Sequence, residues 1–409
     1  MKITDVRAVL LTGPATTRDE YWLRYRKLRS AAFVEITTDT ELVGVGETAV
    51  GYHLPELVPP MVRFFAPIFV GLTEKQINPR VLWDYMRKAG TFWTRTGFGV
   101  SVMAGVEGAL WDLLGKMHGV PVHKLLGGAV HEKLLAYASG GASPYPWEAL
   151  KQRADLFREG GFTAMKTGAG WYDERARKRF TSDSVNAWVE LEAEKIRILR
   201  EHVGKDFRIC MDGHMGNVDA NRKPWSVATA QAVLRAVEPY DIFFFEEPLD
   251  YRDPEGYATL CKSTSIDVAG GEVLTTRDEF QHFADLRAFD IVQPDAAVVG
   301  ISAFLDIARA FAARHQRIAP HNWESGAAVM QNIHAAFACP NTCIVEMGAW
   351  PGGLITDVYK PGHRFENGYL LPPEAPGLGV TLSDAVKNKY AFVPGSGEWS
   401  EVPGMPSPL

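Results

Sequence analysis

Three stretches decide the fold: Phe207-Arg208-Ile209-Cys210-Met211-Asp212, Asp241-Ile242-Phe243-Phe244-Phe245-Glu246 and Ile266-Asp267-Val268-Ala269-Gly270-Gly271-Glu272. Each is a short apolar run ending in a carboxylate, and each reads as a buried strand. The three acids lie 34 and 26 residues apart. One strand with its helix and two loops takes about 25 to 35 residues in a β/α barrel. Acids at the C-terminal ends of three successive strands converge on one point. Three carboxylates that close cannot all stay ionised without a cation, and oxygen-only ligands favour a hard ion such as Mg²⁺.

The same alternation continues on both sides of these runs. Residues 134–138 read as a first strand and 162–166 as a second. The three acid-ended runs are the third to fifth, 289–293 the sixth, 317–319 the seventh and 342–345 the eighth. Helical stretches such as 188–202 and 302–314 separate them. The spacing predicts an α/β fold, a (β/α)8 TIM-type barrel over 129–352. Residues 170–183 are too polar for an element and read as an exposed insert.

Residues 1–128 break this rhythm and read as an α+β capping domain. It has β-rich runs at 3–11 and 31–37, a polar loop at 12–30, a second loop at 49–54 and a half-buried helix at 102–117. Pro121 and Gly127-Gly128 then break the chain. The Pro- and Gly-rich tail, 353–409, cannot supply another barrel unit and is expected to pack back on the N-terminal domain.

The chain has 409 residues, enough for two domains. Its net charge of −6 argues against nucleic acid or an anionic membrane as partner. No apolar run approaches the length expected to cross a bilayer, and the N-terminus lacks the pattern of a signal peptide. The four cysteines, Cys210, Cys261, Cys339 and Cys343, have no zinc spacing, which suits a reduced, cytoplasmic setting.

Polar groups also end the other strands: Lys166 the second, Asp295 the sixth, His321 the seventh and Glu346 the eighth, with His214 two residues past Asp212. That end of a barrel is where active sites are built.

Here the chain resembles the enolase superfamily, in its mandelate racemase-like subgroup. The resemblance rests on Gly105-Val106-Glu107-Gly108-Ala109-Leu110-Trp111-Asp112-Leu113-Leu114-Gly115-Lys116, followed by Gly119-Val120-Pro121-Val122 and Leu125-Leu126-Gly127-Gly128. Phe245-Glu246-Glu247-Pro248-Leu249 and Gly270-Gly271-Glu272 complete it. It implies removal of the proton α to a carboxylate, with the enediolate stabilised by Mg²⁺.

By that resemblance Asp212, Glu246 and Glu272 are the metal ligands. Glu247 is expected to hydrogen-bond locally, since only one of two adjacent strand residues can point at the metal. Asp295 and His321 are the dyad in which His321 acts as base. Lys166 holds the substrate carboxylate or neutralises the site, and Glu346 hydrogen-bonds that carboxylate. The family's second-strand motif often carries another lysine two residues on, but here Gly168 stands there. Asp212-Gly213-His214 is similar to acid-sugar dehydratases, whose histidine protonates the departing β-hydroxyl.

A sugar-acid dehydratase is the resulting expectation. A racemase or epimerase comes next, then a cycloisomerase, and last a non-catalytic binding protein. Arg18, Tyr21, Arg24, Arg26, Tyr52 and His53 are candidate substrate contacts from the capping loops, and Trp323 and Trp350 lie near the barrel mouth in sequence. A small acid-sugar substrate and a homo-oligomer, dimer or octamer, are the partners the resemblance implies.

Overall fold

The computed structural model describes residues 1–14, 28–173, 175–176, 178–216, 223–348, 352–359 and 362–397. The N-terminal unit is an antiparallel sheet of β1 (Ile3–Pro14), β2 (Leu28–Thr38) and β3 (Val43–Thr48), backed by helices that include Pro79–Ala89 and Phe98–His118. The third strand corrects the sequence reading, which stopped at two. Gly44 and Gly46 resemble turn residues, yet their job is close packing. A Cβ at either would lie 2.2 Å from a carbonyl oxygen of the helix Phe98–His118, that of Ala109 or of Gly105. The expected loop at 49–54 contains the helical turn Val50–His53.

Against expectation, the helix Phe98–His118 is long and apolar enough to cross a membrane, but 83% of its most apolar window is buried inside the fold. Its few polar side chains tie the molecule together. Glu107 accepts from the backbone N–H of Ser302, at the start of the barrel helix Ile301–Ala312. Asp112 accepts from Val45 N and Leu378 N, both at 2.7 Å. Lys116 donates to the carbonyls of Val43 and Val380. One helix thus holds the sheet, the barrel and the tail, through charge-assisted bonds that are strong when buried.

The barrel strands are β4 (Leu134–Ser139), β5 (Ala164–Gly168) and, after a small hairpin of β6 (Tyr172–Asp173) and β7 (Lys178–Arg179), β8 (Arg208–Asp212) and β9 (Ile242–Glu246). They continue as β10 (Asp267–Gly270), β11 (Ile291–Val292), β12 (Arg317–Ile318) and β13 (Val345–Gly348). Neighbours pair in parallel in that order, and β13 returns to β4. Ile318 donates to Asn341 O and accepts from Cys343 N, both at 2.9 Å, which closes the ring between β12 and the approach to β13.

The hairpin corrects the expectation that 170–183 forms no element, while Arg175, Ala176 and Lys178 are exposed as expected. It is held by aromatic packing that a polarity count cannot see: Trp171 stacks on Tyr145 at 4.8 Å, and Phe180 meets Trp188 edge-on at 4.7 Å. The tail reaches further than expected. Its hairpin of β14 (Arg364–Glu366) and β15 (Tyr369–Leu371) pairs antiparallel with β4 of the barrel. Later, Thr12 N bonds to Tyr390 O at 2.9 Å, on the capping sheet.

Inside the barrel, Tyr137, Ala164, Cys210, Phe244, Ala269, Ile291, Ala319 and Ile344 form one apolar cluster, a residue from every strand or its approach. Side chains on a strand share a face every second residue. Two positions on from each come Ser139, Lys166, Asp212, Glu246, Gly271, Gln293, His321 and Glu346. The polar layer therefore follows from the apolar one beneath it.

Where the capping unit meets the barrel, His123 and His334 stack with ring centroids 5.5 Å apart. His123 N donates to His334 Nδ1 at 3.1 Å. Burial, with the neighbouring His123, depresses His334 to about 3. Such a group stabilises the fold above the ordinary histidine pKa of about 6.5, and that contribution is lost as pH falls from there toward about 3. The melting temperature of the protein should fall on acidification from pH ~6.5 to ~4.5, and less steeply in His334→Asn. Equal slopes would remove this pair as the cause.

Candidate active site

Lys166 stands at the centre of the polar layer. Its Nζ lies 2.7 Å from Glu246 Oε2, 3.0 Å from Asp212 Oδ2 and 3.2 Å from Glu346 Oε1. Burial opposes its charge, but those three carboxylates outweigh it and hold the ammonium well above the usual lysine range. The loop after β5 is pinned by a buried pair: Lys195 donates to Gly168 O at 2.7 Å and contacts Glu192 at 2.6 Å, while Glu192 accepts from Gly170 N.

His321 Nδ1 bonds to Asp295 Oδ2 at 2.8 Å, and its Nε2 faces the carboxylates, 3.8 Å from Glu272 Oε2. Burial disfavours the imidazolium, yet the bond to Asp295 and the charges of Glu272, Glu346 and Glu324 raise its proton affinity well above normal. Asp295 is itself held firmly. Its Oδ1 accepts from Ala297 N at 2.7 Å and Asn332 Nδ2 at 2.9 Å. Glu346 accepts from Asn322 N at 2.9 Å. Although burial favours its neutral form, Lys166 and His321 pull its pKa down to about 2. The charge of Glu346 is therefore met by Lys166.

His214 has a left-handed backbone, φ 47°, which places its Nδ1 3.1 Å from Asp212 Oδ1 with 37% of the side chain exposed. Glu247 corrects the sequence reading. It too is left-handed, φ 37°, and among the described residues neither of its buried carboxylate oxygens has a hydrogen-bond partner, so the side chain is not held by a local bond. Burial first, then the charges of Glu272, Asp212 and Glu246, push its carboxyl well above the usual range. Strand alternation turns it away from the metal, but the positive φ breaks that alternation. Glu246 Oε1 is likewise buried without a partner among the described residues, and its carboxyl pKa is raised by burial and by Asp212. Orphaned oxygens on crowded acids fit a hard divalent cation, which would relieve both the desolvation and the repulsion.

Three site residues escaped the sequence reading. Gln293 occupies the layer position of the sixth strand, fully buried, and among the described residues neither end of its amide has a partner. The two-residue step from Ile291 was the signal that could have found it. Asn332 and Glu324 approach Asp295 from a helix and a loop, where no period points to them.

From the capping side, Glu47 on β3 accepts from Ser325 N, Ala327 N and Ala328 N, at 2.9, 3.0 and 2.9 Å. It thereby grips the loop that carries His321. Tyr52 is buried beside this loop, its hydroxyl accepting from Trp323 Nε1 at 3.1 Å, with Arg29 over both rings. His53 is exposed and packs edge-on against Tyr52. Arg18, Tyr21, Arg24, Arg26 and Trp350 lie outside the described residues. A separate groove of about 1300 Å³ runs between the helix Pro79–Ala89 and the loops after β9 and β10. None of the polar-layer residues lines it, so its size does not mark the chemistry.

Comparison with known proteins agrees with this architecture. Residues 23–127 match the mandelate racemase / muconate lactonizing enzyme N-terminal domain, and 148–386 match the enolase C-terminal domain-like family. The chain is 32% identical over 362 residues to an arabinonate dehydratase of Saccharolobus solfataricus, covering 87% of this chain and 89% of that one. It is 32% identical over 363 residues, with the same coverage, to a D-galactonate dehydratase of Verminephrobacter eiseniae. A racemase from Streptomyces coelicolor A3(2), solved with bound magnesium, superposes with a TM-score of 0.75 at 24% identity over 93% of this chain and 97% of that one. With both halves matched and relatives of this length and identity, the protein belongs to the enolase superfamily, in its mandelate racemase-like subgroup.

Proposed function

We propose that the protein is a Mg²⁺-dependent dehydratase of a sugar acid. The observation that carries this reading is one base aligned by a carboxylate, with no lysine opposite it among the described residues. His321, aligned by Asp295, faces the carboxylates. Gly168 stands where a second lysine would, and a Cβ there would meet Gly141 O at 3.1 Å. Lys166 is clamped by three acids, which ties its Nζ into the carboxylate cluster. The relatives named for arabinonate and galactonate support the substrate class.

In this reading His321 Nε2 takes the proton α to the substrate carboxylate, and Nδ1 keeps its bond to Asp295. Asp212, Glu246 and Glu272 would hold Mg²⁺, with Glu247 beside them. The ion would supply Lewis-acid stabilisation of the charge that builds on the substrate carboxylate. Lys166 adds fixed positive charge in a buried site, where it counts most. Glu346, ionised, holds Lys166 in place, and the lysine's charge meets the carboxylate end of the substrate. His214, on the exposed side of Asp212, gives a proton to the β-hydroxyl, because hydroxide leaves poorly without one. Tautomerisation of the product then yields a 2-keto-3-deoxy acid.

The test is a Mg²⁺-dependent screen of aldonate and aldarate stereoisomers, read as 2-keto acid formation. Exchange of the α-proton with inversion, and no keto acid, would identify an epimerase instead. His214→Asn should slow water loss by about 10²-fold or more while α-proton exchange in D₂O persists. Undiminished dehydration in that variant would remove His214 as the acid.

A further inference from the structure

Asp295 accepts three hydrogen bonds and has room for a fourth. An ionised carboxylate offers about four lone-pair sites. Ala297 N and Asn332 Nδ2 fill two on Oδ1, and His321 Nδ1 takes one on Oδ2. Glu324 brings a second carboxylate to the same place: Asp295, His321 and Glu324 each offer an atom within 4.8 Å of the others. Glu324 is 4% exposed and Asp295 1%.

Two acids that close in a dry setting cannot both be ionised unless a cation lies on them. Among the described residues no lysine or arginine pairs with the Glu324 carboxylate. The N–H of Trp323 donates to its Oε2 at 3.3 Å, and Arg29 donates to the Glu324 backbone carbonyl at 3.1 Å. The other charged groups facing it are His321 and, from β3, Glu47.

We infer that Glu324 is a positioning residue: as a buried carboxylic acid it donates a hydrogen bond into the last acceptor site of Asp295 and so fixes the Asp295 carboxylate against His321. Desolvation, then the charge of Asp295, favours the protonated form of Glu324, against the opposing pull of His321. A fourth donor leaves Asp295 no freedom to turn away from the imidazole. The inference rests on the reading of His321 as the base, but its first test does not depend on turnover.

The experiment compares the Mg²⁺-loaded wild type with Glu324→Gln and Glu324→Ala. An infrared difference spectrum, wild type minus Glu324→Gln at neutral pH, should contain the carbonyl stretch of a protonated carboxylic acid. Absence of that band means Glu324 is ionised and overturns the inference, whatever the activity. In turnover, Glu324→Gln keeps a donor and should retain kcat within about fivefold. Glu324→Ala should lose about 10–100-fold in kcat, the usual cost of removing a residue that orients another, with KM little changed. Equal kcat in wild type and Glu324→Ala would also overturn it. So would calorimetry showing a second equivalent of Mg²⁺ whose binding Glu324→Gln abolishes, since the three groups would then be ligands.

Discussion

In His321→Asn, turnover is expected to fall about 10²–10⁴-fold, the range that a positioned general base contributes. The loss should appear in kcat with KM nearly unchanged, because none of the three proposed ligands to the cation is replaced. Exchange of the α-proton should stop as well, since proton removal precedes water loss. This double loss separates His321 from His214, whose replacement should spare exchange. The basis is geometric: Nδ1 is occupied by Asp295 at 2.8 Å, which leaves Nε2 as the ring nitrogen turned to the carboxylates. If exchange survives in His321→Asn, the base lies elsewhere and the dyad is structural.

The second large effect is on stability. Lys166→Met should destabilise the metal-free protein by about 3–5 kcal/mol, the usual cost of stripping one partner from a buried ionic cluster. Asp212, Glu246 and Glu346 would each lose their cation, and all three are at most 2% exposed. Mg²⁺ should recover much of the loss, because a ligand that binds only the folded state stabilises it by mass action. The shift in melting temperature between chelator and Mg²⁺ is thus expected to be larger in Lys166→Met than in the wild type. A midpoint unchanged in chelator would show that the acids had simply taken up protons.

These effects trace back to how the chain can be read. The barrel was legible because a strand buried on both faces is a short apolar run, and the interval between acid-ended runs matches one β/α unit. The positions of Asp212, Glu246, His321 and Glu346 follow from the same regularity, each two steps beyond an apolar interior residue. Legibility failed where backbone geometry overrode that period. Glu247 carries a positive φ, which no neighbouring residue type announces. Gly44 and Gly46 hid a strand because a glycine chosen for close packing looks like one chosen for a turn. Glu324 and Asn332 reach Asp295 across the fold, and contacts at long sequence separation leave no local trace.

Glu47 carries a last consequence. It sits in the capping sheet, yet it accepts three N–H groups from the segment just beyond His321. The two halves of the chain are therefore not interchangeable parts. A barrel transplanted beneath a foreign cap would keep its acids but lose the anchor of its base, unless the new cap offered an acceptor at the same spot. Recombination between relatives should succeed only when the crossover carries β3 and the seventh loop together, which makes this pair the true unit of inheritance for the site.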